Sequence, residues 1–182
     1  MSVFALWLPI LLAGLATHVA SFLAWVVLPH HKPEWKEFPH EDELQDWLAE
    51  RNAPPDQYLL PMCSEMSETK TSEYAAKLDK PHGMLLLWGH KPNIGKNIGM
   101  TLAYFLVASF CLGYLATLAL APGEGFFPVF RFVTTAGIMT YCFAKIPGVI
   151  WFRQKVLMDL VDGAAYAVIA GVIFAALWPA AA

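Results

Sequence analysis

The stretch that decides the fold runs from Tyr141 to Pro179 and reads YCFAKIPGVIWFRQKVLMDLVDGAAYAVIAGVIFAALWP. It consists of two apolar parts that are joined by a short basic turn around Arg153 and Lys155. A helix rises about 1.5 Å per residue, so about 20 apolar residues cross a hydrocarbon layer that is about 30 Å thick. The second part reaches this length, and the first does so together with the apolar residues from 126 onward, so the stretch predicts a pair of antiparallel transmembrane helices.

The rest of the chain has the same character. Of its 182 residues, 57% are hydrophobic and 15% are charged, which is a more apolar composition than that of an average soluble domain. The apolar residues are concentrated in four runs, near residues 3–28, 98–121, 126–152 and 157–178. We therefore predict an all-α integral membrane protein with four transmembrane helices in a bundle. A small cytoplasmic insertion, mixed α/β or irregular, is predicted between helices 1 and 2.

The predicted organisation has three segments. Residues 1–28 form transmembrane helix 1, residues 29–96 form a water-facing cytoplasmic module, and residues 97–182 contain transmembrane helices 2–4. The first run resembles a signal peptide in position, but no Lys or Arg precedes it and its hydrophobicity continues to Leu28. That length exceeds the apolar region of a signal peptide, so we expect a retained span.

The water-facing module contains 12 of the 15 acidic residues and 8 of the 12 Lys and Arg residues. Within it, Glu41 to Arg51 is predicted to be a short helix, since acidic residues crowd its first turns and Leu44 shares a face with Trp47. A second helix is predicted to begin with Ser72 as its N-cap. Two short apolar runs, Tyr58 to Met62 and Met84 to Trp88, either pair as strands or lie on the membrane surface.

Basic residues predict the orientation in the membrane. Besides the 8 in the module, Arg153 and Lys155 lie in the turn between the last two spans, whereas Arg131 and Lys145 lie within a span. Because Lys and Arg are enriched in cytoplasmic loops, the module and this turn are predicted to be cytoplasmic. Both termini are then outside, and a plasma membrane or bacterial inner membrane is the expected location.

Small residues that recur every four positions predict where the helices touch. Helices in lipid associate by close packing, because burial of apolar surface supplies no drive there. The last span carries the longest series of such residues: Gly163, Ala167, Gly171 and Ala175. The third span offers a second series: Ala136, Thr140, Ala144 and Gly148. A compact bundle or a homo-oligomer is expected from these faces.

Three ionisable residues, Lys145, Asp159 and Asp162, fall at or inside the predicted membrane boundary. Charge is costly there, and such residues commonly mark an ion or proton pathway. In a hairpin of the last two spans, Lys145 and Asp162 reach a similar depth, with Asp159 one helical turn shallower. The sequence predicts an ion pair across the hairpin, which is either a proton or ion relay or a structural pin beside a Lys145 that extends towards the interface.

Histidines are the other candidate ligands. His18 lies near the middle of the first span, but a haem held by two intramembrane histidines would need a second one there. His30, His31 and His40 offer nitrogen donors in the module, yet their spacing matches no HExxH or CxxC pattern. We therefore predict no metal or cofactor, and keep these four histidines as alternative ligands.

Function is less constrained than fold. The net charge of -3 and the lack of a basic run exclude nucleic acid as an expected partner, and no GxSxG or phosphate-binding loop is present. The first hypothesis is therefore a non-enzymatic binding, scaffold or accessory subunit that contacts the lipid bilayer and a membrane-complex partner. The second is a small ion- or proton-coupled transporter that uses Lys145, Asp159 and Asp162. The third is a metal-dependent membrane enzyme that uses the loop histidines.

Overall fold

The computed structural model describes residues 1–181, so Ala182, which ends the predicted third segment, lies outside the described residues. The protein is mostly helical, with 66% of its residues in helices, and it contains a small two-stranded sheet. Four of its helices are long and apolar enough to cross a membrane: Val3–Val27, Ile94–Ala119, Phe126–Phe152 and Leu157–Ala176. The predicted number and placement of long apolar helices are thus confirmed.

The chain divides into two compact units. One contains Met1–Lys36 together with the chain from Asn93 onward, and we call it the helical unit. The other is Glu37–Pro92, which we call the insert. The prediction drew the first boundary at residue 29, whereas residues 29–36 belong to the helical unit. They do so because two of them, His30 and His31, bond to Asp162 of the last long helix.

The helical unit is built from five α-helices and their connections. A 3₁₀ turn, Val3–Leu6, leads into the first helix, whose last turn is a π-helix, Leu23–Val27. Residues 153–156 separate the last two helices and include Arg153 at a φ of 52°. The α-helices of this unit are α1 (Trp7–Phe22), α4 (Ile94–Ala119), α5 (Phe126–Tyr141), α6 (Ile146–Phe152) and α7 (Leu157–Ala176).

Neighbouring long helices run in opposite directions. α1 packs on α4 and α7, and α5 packs most extensively on α7. At one end of the unit, the Gly123 amide donates to the Pro179 carbonyl at 2.8 Å, and the Trp178 indole donates to the Ala121 carbonyl at 2.9 Å. The connection between α4 and α5 therefore lies beside the end of α7, and the turn around Arg153 lies at the opposite end.

The core between these helices depends on small residues. The predicted series on α7 is buried along its whole length, from Gly163 to Ala175. A Cβ atom added at Gly137 of α5 would lie 2.9 Å from the Ala167 Cβ atom, which is closer than real Cβ atoms approach. α5 and α7 can pack this closely only because these positions lack large side chains.

The predicted series on the third span does not form this contact. α5 ends at Tyr141 and is followed by a 3₁₀ turn, Phe143–Lys145, before α6 begins with Pro147 in its first turn. A proline there cannot donate to the preceding turn, which favours a break in the helix. Thr140 is exposed because the buried face of α5 runs through Val133, Gly137 and Tyr141, one position along from the predicted series. Ala144 is exposed in the 3₁₀ turn, and Gly137 takes the place of the predicted positions in the contact with α7.

The insert has its own small architecture. It contains α2 (Glu41–Glu50), β1 (Gln57–Leu60), α3 (Ser72–Leu78) and β2 (Gly83–Leu86). β1 and β2 pair antiparallel, with Tyr58 opposite Leu85. The two apolar runs therefore form strands. The N-cap of α3 is Thr71, whose hydroxyl accepts from the Tyr74 amide at 3.2 Å, and not Ser72 as the sequence suggested.

The contact between α5 and α7 can be tested with a glycine pair. We expect Gly137→Leu to lower the free energy of unfolding by about 1–3 kcal/mol, because the new side chain must displace the Ala167 backbone. Gly99→Leu is the matched control, since Gly99 also lies in a long helix and nothing lies within 4 Å of its added Cβ atom. Thermal unfolding in mild detergent measures both. Equal melting temperatures for the two variants would contradict the packing described above.

Candidate functional site

The candidate site is centred on Asp162, which lies in the second turn of α7 and is only 7% exposed. Its Oδ1 atom lies 3.0 Å from His30 Nε2, and its Oδ2 atom lies 2.9 Å from His31 Nε2. Among residues 1–181, Asp162 forms no ion pair with a Lys or Arg side chain. A buried carboxylate is therefore held by two imidazoles alone.

His31 has a second acidic neighbour. Its Nδ1 atom lies 2.6 Å from Glu34 Oε2, so both ring nitrogens face a carboxylate. An ionised carboxylate only accepts hydrogen bonds, and a neutral imidazole can donate from only one of its nitrogens. The arrangement is satisfied either by a doubly protonated His31 or by a cation that the second nitrogen and Asp162 bind together.

These contacts also affect proton affinity. Burial by itself would lower the pKa of His31, because it disfavours the charged ring. The hydrogen bonds to Glu34 and Asp162 and the negative charges of the two carboxylates outweigh burial, so the pKa of His31 is raised above its ordinary value of 6.5. The neighbouring carboxylates therefore favour the protonated form of His31 more than in an ordinary histidine.

The local fold positions the histidines. The π-helix at the end of the first span carries Trp25, whose ring stacks on the His31 ring at a centroid distance of 3.8 Å. The next turn, Lys32–Glu34, is a 3₁₀ helix that brings Glu34 back to His31. Lys155 Nζ donates to the Pro33 carbonyl at 3.2 Å and thereby attaches this turn to the connection before α7. π-helical turns of this kind are frequent at functional sites.

A second charged pair lies nearby. Lys145 Nζ is 3.5 Å from Asp159 Oδ2, with the lysine side chain about half exposed at 51% and the aspartate at 19%. Both residues line a pocket of about 270 Å³ between α1, α4, α5 and α7, which Asp162 also lines. Two tyrosines of this pocket, Tyr141 and Tyr166, are buried with hydroxyl groups that have no hydrogen-bond partner in the described chain. The pocket thus offers both charge and unused polar atoms.

The structure brings together part of the site that the sequence suggested. Lys145 pairs with Asp159, whereas Asp162 turns away from the lysine towards His30 and His31. These two histidines and Asp162 form a group whose ligand atoms all lie within 4.8 Å of one another, as in a metal site. The sequence kept His30 and His31 as alternative ligands but did not place Asp162 beside them.

The other two histidines lie apart from the group. His18 is in α1, where its Nδ1 atom is buried without a partner in the described chain and its ring contacts Phe105 at a centroid distance of 6.2 Å. His40 is exposed in the insert, and its Nδ1 atom lies 3.1 Å from Glu43 Oε1. Neither residue contributes to the cluster around Asp162.

A sequence signal for the cluster did exist. Residues 29–31 follow the first span directly, and Asp162 follows the basic turn that was predicted to lie on the same side of the membrane. In four antiparallel spans both segments are at one end, so contact between them was possible. The sequence does not show that α1 and α7 are neighbours, so it predicts contacts only between spans that are consecutive in the chain.

The chain matches no protein-family model, no curated protein and no solved structure. The function of the site is therefore argued from its geometry and chemistry.

The importance of His31 can be tested against a matched exposed pair. We expect His31→Leu to lower the free energy of unfolding by about 3 kcal/mol, because Glu34 and the buried Asp162 then lose a shared partner. His40→Leu removes a similar pair, His40–Glu43, in which both side chains are exposed. That change should alter stability by less than about 1 kcal/mol. Chemical unfolding of the two variants in the same detergent would contradict this if the losses were equal.

Proposed function

We propose that the chain is an integral membrane protein of four spans that binds a cation in its helical unit and acts as a small ion-coupled carrier. The observation that carries this proposal is the excess of negative charge around His31. Asp162 and Glu34 both face this one imidazole, and Asp162 has only histidine partners among the described residues. Ionisable residues in a membrane-length helix commonly mark an ion pathway.

The charges of the site support a cation as the ligand. Lys145 and Asp159 offset one another. When His30 and His31 are neutral, Asp162 and Glu34 leave two negative charges without compensation. An uncompensated buried charge is strongly unfavourable, so protons or a bound cation must neutralise the cluster. Exchange of one for the other would couple proton movement to ion movement.

The shape of the helical unit supports a carrier over an open channel. The pocket of about 270 Å³ lies next to Asp162 at the end of the unit that contains the turn around Arg153. Towards the opposite end, Leu112, Val129 and Phe174 are fully buried and fill the space between the helices. A cation that enters from the first end meets the acidic cluster and then a closed apolar core, as expected for alternating access.

The proposed topology follows from the basic residues. Lys and Arg residues of the insert, together with Arg153 and Lys155, support a cytoplasmic location for this end of the helical unit. Both termini and the connection around Gly123 would then lie outside, in a plasma membrane or bacterial inner membrane. The cation site would open to the cytoplasm.

The topology is tested by labelling single cysteines in a variant that lacks Cys63, Cys111 and Cys142. We expect cysteines at Ser2 and Gly125 to react with a membrane-impermeant thiol reagent in intact cells. Cysteines at Glu65 and Gln154 should react only after the membrane is opened. Labelling of Gln154 and Ser2 from the same side would contradict the four-span arrangement.

The carrier function is tested by flux into reconstituted vesicles. We expect a divalent metal gradient to drive proton movement, reported by a pH-sensitive dye, and Asp162→Asn to abolish it, because the variant loses a negative charge at the cluster. Asp79→Asn is the matched control in the insert and should leave the flux unchanged. A wild-type protein that binds no cation and transports neither ions nor protons would overturn the proposal.

A partner-binding role, the first hypothesis from the sequence, is favoured by a different observation. Within the described chain, none of the residues of Glu37–Pro92 is buried, and large apolar side chains such as Trp47, Met66 and Trp88 are exposed there. A unit without a buried core gains stability when another surface covers it. A specific partner that co-purifies in mild detergent, together with absent flux, would favour this second function.

A further inference from the structure

The geometry points to one class of cation: we propose that His30, His31 and Asp162 bind a divalent transition-metal ion such as Zn²⁺, with Glu34 as a positioning residue. This inference rests on the proposed cation-binding function and names its ligand. His30 Nε2, His31 Nε2 and one carboxylate oxygen of Asp162 would be the ligand atoms, and all of these lie within 4.8 Å of one another.

The type of donor atom favours a transition metal. Imidazole nitrogen together with carboxylate oxygen suits Zn²⁺ and related ions, whereas Ca²⁺ and Mg²⁺ prefer oxygen ligands alone. Ligand atoms that are each about 2.1 Å from a tetrahedral ion are about 3.4 Å apart. His30 Nε2 lies 3.0 Å from Oδ1 of Asp162 and His31 Nε2 lies 2.9 Å from Oδ2, so a shift of about 0.5 Å brings each nitrogen and its carboxylate oxygen to this spacing.

The second nitrogen of His31 supplies an independent argument. Histidines that bind metals usually donate their other ring N–H group to a carboxylate, which fixes the tautomer and the ring orientation. His31 has such a partner, since its Nδ1 atom lies 2.6 Å from Glu34 Oε2. If Nδ1 carries the proton, the lone pair of Nε2 faces Asp162, where a hydrogen bond to an ionised carboxylate is impossible. A metal ion between Nε2 and Asp162 resolves this conflict.

Charge balance favours a divalent ion over a monovalent ion. With both histidines neutral, Asp162 and Glu34 together carry two negative charges, which a divalent ion neutralises in full. A monovalent ion would leave one negative charge in a cluster where Asp162 is only 7% exposed. The Lys145–Asp159 pair is already balanced and needs no contribution from the ion.

The cluster is also held in place and accessible. Trp25 stacks on His31, and Lys155 holds the backbone of Pro33 and Glu34. Such support lowers the cost of ordering the ligands when the ion binds. Asp162 lines the inner polar pocket, while His30 and Glu34 line a separate groove of about 520 Å³. Water or a substrate atom could complete the coordination of the ion from either side.

The test measures zinc on the full-length protein, purified in mild detergent without a polyhistidine tag. After incubation with Zn²⁺ and removal of the free ion, elemental analysis should find about one zinc per chain. Zn²⁺ should also raise the melting temperature, because it binds the folded state, whereas Mg²⁺ and Ca²⁺ should not. These two measurements on the wild-type protein do not depend on whether any variant folds.

Variants then locate the ion. His30→Ala, His31→Ala and Asp162→Asn should each remove stoichiometric zinc, whereas His40→Ala should retain it. Glu34→Gln should keep one site per chain with an affinity about 10- to 100-fold lower, and Glu34→Asp should recover part of the loss. The absorption spectrum of bound Co²⁺ should change in Glu34→Gln, which a purely structural effect on folding would not produce.

Three outcomes overturn the inference. The first is a wild-type protein without bound zinc, which would leave a protonated His31 as the partner of both carboxylates. The second is zinc that remains stoichiometric in His30→Ala and His31→Ala. The third is equal stabilisation by Mg²⁺ and Zn²⁺. If the first outcome is accompanied by proton flux that depends on Asp162, the carrier function stands and only the identity of the cation fails.

Discussion

The arrangement of the helical unit near the turn around Arg153 depends on the carboxylate of Asp162. It lies in α7 and is almost completely buried, yet its two oxygens are bonded to residues more than a hundred positions earlier in the chain. Its partners, His30 and His31, directly follow the first long helix. This carboxylate therefore fixes the position of the chain just after that helix. Residues 29–36 therefore pack with the helical unit, although their composition resembles that of the insert.

Close packing of the helices is what allows Asp162 to reach these partners. Small residues on α7 let α5 approach on one side, and Gly163, next to Asp162, lies against Tyr141 and Cys142. α1 contacts α7 on another side, so the end of the first span comes close to the start of the last. A larger side chain at position 163 would clash with the end of α5. Gly163 thus allows the close packing that positions Asp162.

The sequence predicted those parts of the structure that depend on local composition. Lengths of apolar runs located the four long helices, and the series from Gly163 to Ala175 identified the packed face of α7. Two short apolar runs were located as well, although the sequence left open whether they pair as strands, as they do, or lie on the membrane surface. Each of these features is set by residues that are close in sequence, or by a repeat with a helical period.

The site could be predicted only in part, since it depends on which helices are neighbours. Lys145 and Asp159 belong to consecutive spans, and their proximity follows from a hairpin. The sequence predicts Asp162 in the same pair because a regular hairpin gives it the depth of Lys145, whereas α5 ends at Tyr141 and Lys145 lies in a 3₁₀ turn. The contact of α7 with α1 joins the two ends of the chain, and no local pattern encodes it. The pair His30–His31 lacked a recognisable spacing because its third partner is so distant in sequence.

The site around Asp162 allows two alternatives, a proton on His31 or a divalent ion. A proton on His31 and a divalent ion between His31 and Asp162 occupy the same position and satisfy the same two carboxylates. They cannot be present together, because both use the lone pair of His31 Nε2. Binding of the ion must therefore release a proton from the cluster whenever His31 is charged. The hydrogen bonds to Glu34 and Asp162 raise the pKa of His31 above its ordinary value, so a bound ion would compete with a proton for this position.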